Sequence, residues 1–123
     1  MVDSDVAKVL GPLEGEVMRT VWAARAPVTV RDVLDRLNRG RRSRLAYTTV
    51  MTVMARLAEK GVLRRSRLGR GYVYEAEASD AAGIAVRNLV RDFGETAVAQ
   101  LADELRANPQ LLHRLERLLA ESP

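Results

Sequence analysis

The sequence predicts a mainly α-helical fold with one small β-hairpin, and three observations lead there. Apolar residues recur at helical spacing along most of the chain. The pattern switches after Gly61 to two short extended segments around the glycine-bearing turn Leu68-Gly69-Arg70-Gly71. Charge is unevenly placed along the chain. Residues 1–40 hold six basic and six acidic residues, 41–74 nine and one, and 75–123 five and nine, so the nets are 0, +8 and −4.

The first helix is expected to open at Gly11-Pro12-Leu13, with proline in the first turn, where its missing N–H costs little. Leu13, Val17 and Val21, widened by Leu10, Met18 and Trp22, make its buried stripe, and Trp22 reads as a core anchor. Ala26-Pro27-Val28 breaks the chain and can pair as a brief edge strand. Thr29 caps a second helix, with Asp32 three residues on as a capping-box partner. Val33, Leu34 and Leu37 face inward, and the helix ends near Asn38. The basic segment Arg39-Gly40-Arg41-Arg42-Ser43-Arg44 reads as a turn whose arginines can meet phosphates.

The next helix lies within 44–61 and stops plainly, with Lys60 in the last turn and Gly61 past the end. Val50, Val53, Met54 and Leu57 form its inward stripe. Thr48, Thr49, Thr52 and Arg56 occupy the other face. Threonine lowers helix propensity, so three of them on one outer face call for another use. Their hydroxyls donate or accept, and their methyls can touch thymine. The hairpin follows, from segments 62–67 and 72–76. Helix, brief strand, helix, turn, helix and hairpin make a winged helix-turn-helix, in which the helix after the turn enters the major groove.

The charge sign reverses over Glu75-Ala76-Glu77-Ala78-Ser79-Asp80, where Ser79 or Asp80 can cap the next helix. This places the boundary between a DNA-binding domain, 1–76, and a helical dimerisation segment, 77–123. Ile84, Leu89, Val90 and Phe93 form a loose stripe before Gly94; Val98, Leu101 and Leu105 continue it. Asn108-Pro109 starts a final helix dense in leucine: Leu111, Leu112, Leu115, Leu118 and Leu119. With no sheet to cover them, these residues would leave apolar surface exposed on a monomer, so a homodimer is expected.

Composition narrows the function classes. The chain has 123 residues, 47% hydrophobic and 29% charged, and fits one ordinary domain or a small domain with an oligomerisation segment. Cysteine is absent and His113 is the single histidine, which removes disulfide frameworks and the usual metal and acid–base sites. No cofactor or metal is expected, and an enzyme has almost no support. No apolar run approaches the ~20 residues of a membrane span. The acidic start, Met1-Val2-Asp3-Ser4-Asp5, is unlike a secretory signal, so a cytoplasmic location is expected. A basic stripe on one segment is the footprint of a nucleic-acid site. The expected base readers are Thr48, Thr49 and Thr52. The expected phosphate contacts are Arg41, Arg42, Arg44, Arg56, Arg65, Arg67 and Arg70. The expected dimer contacts are Phe93, Leu101, Leu105, Leu112, Leu115 and Leu119. The competing class is a winged-helix protein-interaction module of a larger assembly, which usually lacks such a basic stripe beside a threonine-faced helix.

These residues also carry a resemblance. Leu10-Gly11-Pro12-Leu13-Glu14 with Val17-Met18 and Val21-Trp22, Thr29-Val30-Arg31-Asp32-Val33, the run from Leu45 to Gly61, and Gly69-Arg70-Gly71-Tyr72-Val73-Tyr74 resemble, in order, the penicillinase-repressor (BlaI/MecI/CopY) group of transcriptional regulators, in its actinobacterial type. The match is dense over about 10–76; beyond it only length, helicity and Phe93-Gly94 agree. The resemblance implies a dimeric repressor that occupies operator palindromes. It also implies that some members are inactivated when a sensor metalloprotease pathway leads to cleavage in the dimerisation region, at an Asn-Phe bond. The comparable stretch here is Asp92-Phe93-Gly94-Glu95-Thr96, so any cleaved bond would differ. Copper-responsive members carry a C-terminal cysteine cluster, which this chain lacks.

Overall fold

The computed structural model describes residues 5–121; the acidic start at 1–4 lies outside them. A short 3-10 turn, Val6–Lys8, precedes α1 (Pro12–Ala24), α2 (Val30–Asn38), α3 (Tyr47–Glu59), β1 (Leu63–Leu68), β2 (Gly71–Ala76), α4 (Ala81–Phe93), α5 (Glu95–Arg106) and α6 (Pro109–Ala120). The chain forms two compact units, the first ending at Asn88 and the second starting at Leu89.

In the first unit, α1, α2 and α3 pack on one another and on the hairpin. Val17, Met18, Val33, Val50, Met54 and Leu57 are fully or almost fully buried at its centre. Each such side chain contributes about 1.5–3 kcal/mol on leaving water. The local signals behave as their chemistry requires. Thr29 accepts from the Asp32 backbone N–H, and Asp32 accepts in return from that of Thr29, each at 3.0 Å. At the end of α3, Gly61 takes φ +76°. The Gly61 N–H donates to the Ala58 carbonyl at 3.1 Å and that of Val62 to Leu57 at 2.9 Å, the paired closing bonds of a Schellman stop. Val28 pairs with Tyr74 in an isolated antiparallel bridge, so the expected edge segment adds one rung to the hairpin. β1 and β2 run antiparallel with Leu63 opposite Ala76 and Leu68 opposite Gly71. That register leaves Gly69 and Arg70 as a two-residue turn, with φ +61° at Gly69.

This core continues beyond residue 76. Ala78, Ala81 and Ile84 are buried in it, and the Trp22 indole N–H donates to the Ala78 carbonyl at 2.8 Å. Trp22 thus anchors the chain leaving the hairpin. Asp80 caps α4 by accepting from the Gly83 N–H at 2.9 Å.

The second unit begins within α4. Gly94, at φ +52°, breaks the chain between α4 and α5, and Asn108 caps α6 by accepting from the Leu111 N–H. α5 and α6 pack on each other. Leu105, Leu112 and Leu115 are half-buried, while Ala97, 7% exposed, is the one buried residue among those described from 89 on. Phe93, Leu101 and Leu119 are exposed at 62, 47 and 67%.

Candidate nucleic-acid interface

The site is built on α3. At about 100° per residue, its outward surface divides into three rows. Thr48 and Thr52 form the central row. Thr49 and Arg56, two turns apart, form one flank, and Tyr47 and Met51 form the other. All six are exposed, while Val50, Met54 and Leu57 point into the core. The three threonines named from sequence therefore share one open surface. Glu59 is the helix's acidic residue and sits in its last turn, so the first two turns carry no carboxylate to repel a phosphate backbone.

Two features hold α3 in place. Asn38, 6% exposed, donates from its amide to the Leu45 carbonyl at 3.2 Å and accepts from the Leu45 N–H at 2.8 Å. The pair closes the turn that delivers α3. Two carboxylates of α1 grip the two sides of the α3 region: Glu16 pairs with Arg41 at 2.8 Å, and Glu14 with Lys60 at 3.2 Å. The other oxygen of Glu14 accepts from the Gly11 N–H at 3.3 Å, at the start of α1.

The arginines fall into distinct states. Arg42, Arg44 and Arg56 are exposed, whereas Arg41 is half-buried against Glu16. Alternation along β1 separates the rest. On one face Arg65 and Arg67 lie 4.3 and 5.6 Å from the centroid of Tyr72. On the other, Arg64 pairs with Glu75 at 3.2 Å and Glu77 at 3.1 Å. Glu75 first, and Glu77 after it, raise the Arg64 pKa further above its ordinary value. The charge of Arg64 is thus balanced by two carboxylates, while Arg65 and Arg67 face a ring. Arg70 stands exposed at the hairpin tip.

Sequence reasoning did not single out four residues here. Arg31, in the first turn of α2, lies over the ring of Tyr47 at 5.2 Å from its centroid. Nothing in sequence spacing joins those two positions. The Tyr72 stack is equally invisible without strand register. Met51 was legible, because it falls off the stripe made by Val50, Val53, Met54 and Leu57.

The penicillinase repressor family matches residues 10–121. The chain belongs to that family. It is 38% identical over 113 residues to the transcriptional regulator BlaI of two Mycobacterium tuberculosis strains, CDC 1551 and H37Rv. That alignment covers 91% of this chain and 75% of the relative. Among solved structures, the fold is similar to MepR, a transcription regulator of the Staphylococcus aureus multidrug efflux pump MepA. There the TM-score is 0.51 at 18% identity, covering 95% of this chain and 86% of that one. A mutant MepR from a multidrug-resistant S. aureus clinical isolate gives 0.50, also at 18% identity, covering 97 and 84%. At that identity the likeness concerns the fold, and it supports the winged-helix assignment. As a penicillinase repressor family member, the chain is a winged-helix transcriptional regulator, and that family is one of regulators rather than enzymes. Among the described residues, no helix is long and apolar enough to cross a membrane.

Proposed function

We propose that this chain is a sequence-specific DNA-binding repressor that acts as a homodimer on operator palindromes. The observation that carries the reading is the outward face of α3: Thr48, Thr49 and Thr52 exposed together, without a carboxylate in the first two turns, beside a hairpin bearing exposed Arg65, Arg67 and Arg70. Arginines hold phosphates whatever the sequence, so discrimination falls to the threonines through hydroxyl and methyl contacts in the major groove. Arg42, Arg44 and Arg56 complete the backbone contacts, and Arg41 joins them only by sharing its charge with Glu16.

The homodimer is supported by the apolar surface of the second unit, where Phe93, Leu101 and Leu119 stand in water beside half-buried Leu105, Leu112 and Leu115. A two-fold pair presents two α3 helices to half-sites about one helical turn, or a multiple of it, apart. Relief of repression would follow from a sensor metalloprotease pathway that cuts the dimerising segment. Exposed Phe93, followed by the break at half-buried Gly94 between α4 and α5, offers a bond for it in place of Asn-Phe.

The deciding experiment is Thr49→Ala, assayed on a duplex that the full chain selects from a random-sequence pool. Specific binding should weaken by about 1–3 kcal/mol per half-site while binding to random DNA stays unchanged. Equal losses on both would make α3 a backbone clamp, with sequence read through DNA shape. Failure to shift any duplex would favour a winged-helix protein-interaction module instead.

A further inference from the structure

The flank of α3 opposite Thr49 and Arg56 has no place in a reading based on hydroxyls and guanidinium groups. Tyr47 and Met51 stand one turn apart on it, exposed at 42 and 41%. Within the same unit the neighbouring apolar side chains Val50, Met54 and Leu57 are completely buried, so this exposure is local to one row. The Tyr47 ring is also held, because Arg31 lies across its face from the first turn of α2. A stacked ring on the first turn of a helix is a preset surface and loses little freedom on binding. The row borders Thr48 and Thr52, each of which carries a methyl group beside its hydroxyl.

We infer that Tyr47 and Met51 form a second reading edge of α3, which packs on thymine methyl groups in the major groove. This rests on the DNA-binding reading above and adds residues and chemistry to it. The occupant follows from the surroundings. The 41–74 segment around the row carries a net charge of +8, which favours a polyanion over an apolar peptide. The apolar feature that a DNA duplex exposes in its major groove is the thymine C5-methyl. Met51 supplies an unbranched, polarisable chain that adapts to such a surface. The two flanks of α3 then do different work: Thr49 and Arg56 meet polar base edges and backbone, and Tyr47 and Met51 meet methyls.

The test uses the full-length chain and a duplex that it selects from a random-sequence pool. Thymines of each half-site are replaced singly by uracil, which keeps pairing and removes only the methyl. At one or more positions per half-site, affinity should fall about fourfold, the worth of one buried methylene-sized group. That penalty should vanish in Met51→Ala, persist in Met51→Leu and persist in Thr48→Ala. Met51 is exposed on a helix whose core contacts are made by Val50, Met54 and Leu57, so Met51→Ala should keep the fold, and a urea melt that matches the wild type checks this. If at every position the uracil penalty is absent, equal in wild type and Met51→Ala, or lost in Thr48→Ala, the inference is overturned while specific binding stays intact. A pool that yields no enriched duplex would overturn the DNA-binding reading itself, and this inference with it.

Discussion

The first unit completes its core alone, and the second does not. From Val6 to Ile84 the chain closes an apolar core over three helices and a hairpin, and Trp22, Asn38 and the capping pair Thr29–Asp32 find their partners within it. From Leu89 on, three helical segments bury Ala97 and leave Phe93, Val98, Leu101 and Leu119 in water. Ion pairs differ in span: in the second unit Arg91–Asp92 and Arg106–Asp103 join near neighbours in sequence, at 3.0 and 2.8 Å. In the first unit acids are spent on chosen cations: Glu16 on Arg41, Glu14 on Lys60, and Glu75 with Glu77 on Arg64. Arg42, Arg44 and Arg56 stay exposed around α3, as do Arg65, Arg67 and Arg70 on the hairpin. A unit whose core is closed can give its surface to binding; a unit whose apolar residues remain exposed offers them to the dimer contact proposed above.

The sharpest way to break that contrast is to damage each unit separately. Leu57 is fully buried. Leu57→Ala should cost about 2–5 kcal/mol of stability, by lost transfer and a residual cavity, and the loss in urea melts should not depend on protein concentration. Leu115→Asp in the second unit should leave the melting of the first unit unchanged but weaken self-association roughly a hundredfold, about 3 kcal/mol, by placing an unpaired charge at an apolar contact. Sedimentation should show monomer for the variant and dimer for the parent. A parent that is monomeric at micromolar concentration would end the contrast as drawn.

Smaller effects sharpen it. Thr29→Ala should cost about 1 kcal/mol, because it removes the cap from α2. The Thr29 backbone N–H first, and its hydroxyl next, hold the Asp32 carboxyl below its ordinary value of 3.8, with Arg36 adding to them. A depressed folded pKa contributes stability that is fully present above the unfolded value and is lost as pH falls through the folded one. The stability gap between wild type and Asp32→Asn should therefore be constant near neutral pH and shrink below about pH 4, read by urea melts at a series of pH values. The smallest effect separates free from engaged cations. Arg70→Ala should reduce the slope of log affinity against log salt by about one unit, as one phosphate contact is lost. Arg41→Ala should change it less, since Glu16 already takes part of that charge. Equal changes would mean that the Glu16 pair opens on DNA.

Much of this molecule is written in short-range pattern. Helical spacing, the Thr29–Asp32 cap, the Gly61 stop, the Gly69 turn and the Asn108-Pro109 start depend on residues within a few positions of one another, where backbone geometry is set by local sterics and hydrogen bonds. The element order, and with it the winged helix-turn-helix, followed from those signals. The outward direction of Thr48, Thr49 and Thr52 was legible for the same reason, being the complement of the stripe at Val50, Val53, Met54 and Leu57. Tertiary structure alone decided which charges stay available and where the core stops. Arg41 meets Glu16 across 25 residues, Arg64 meets Glu75 through strand register, and Arg31 reaches Tyr47 because two helices cross. The burial of Ala78, Ala81 and Ile84 carried the first core past residue 76, where the charge reversal had suggested a boundary. Net charge sums along the chain, but ion pairs and burial depend on distance in space, which only the packed helices and the paired strands determine.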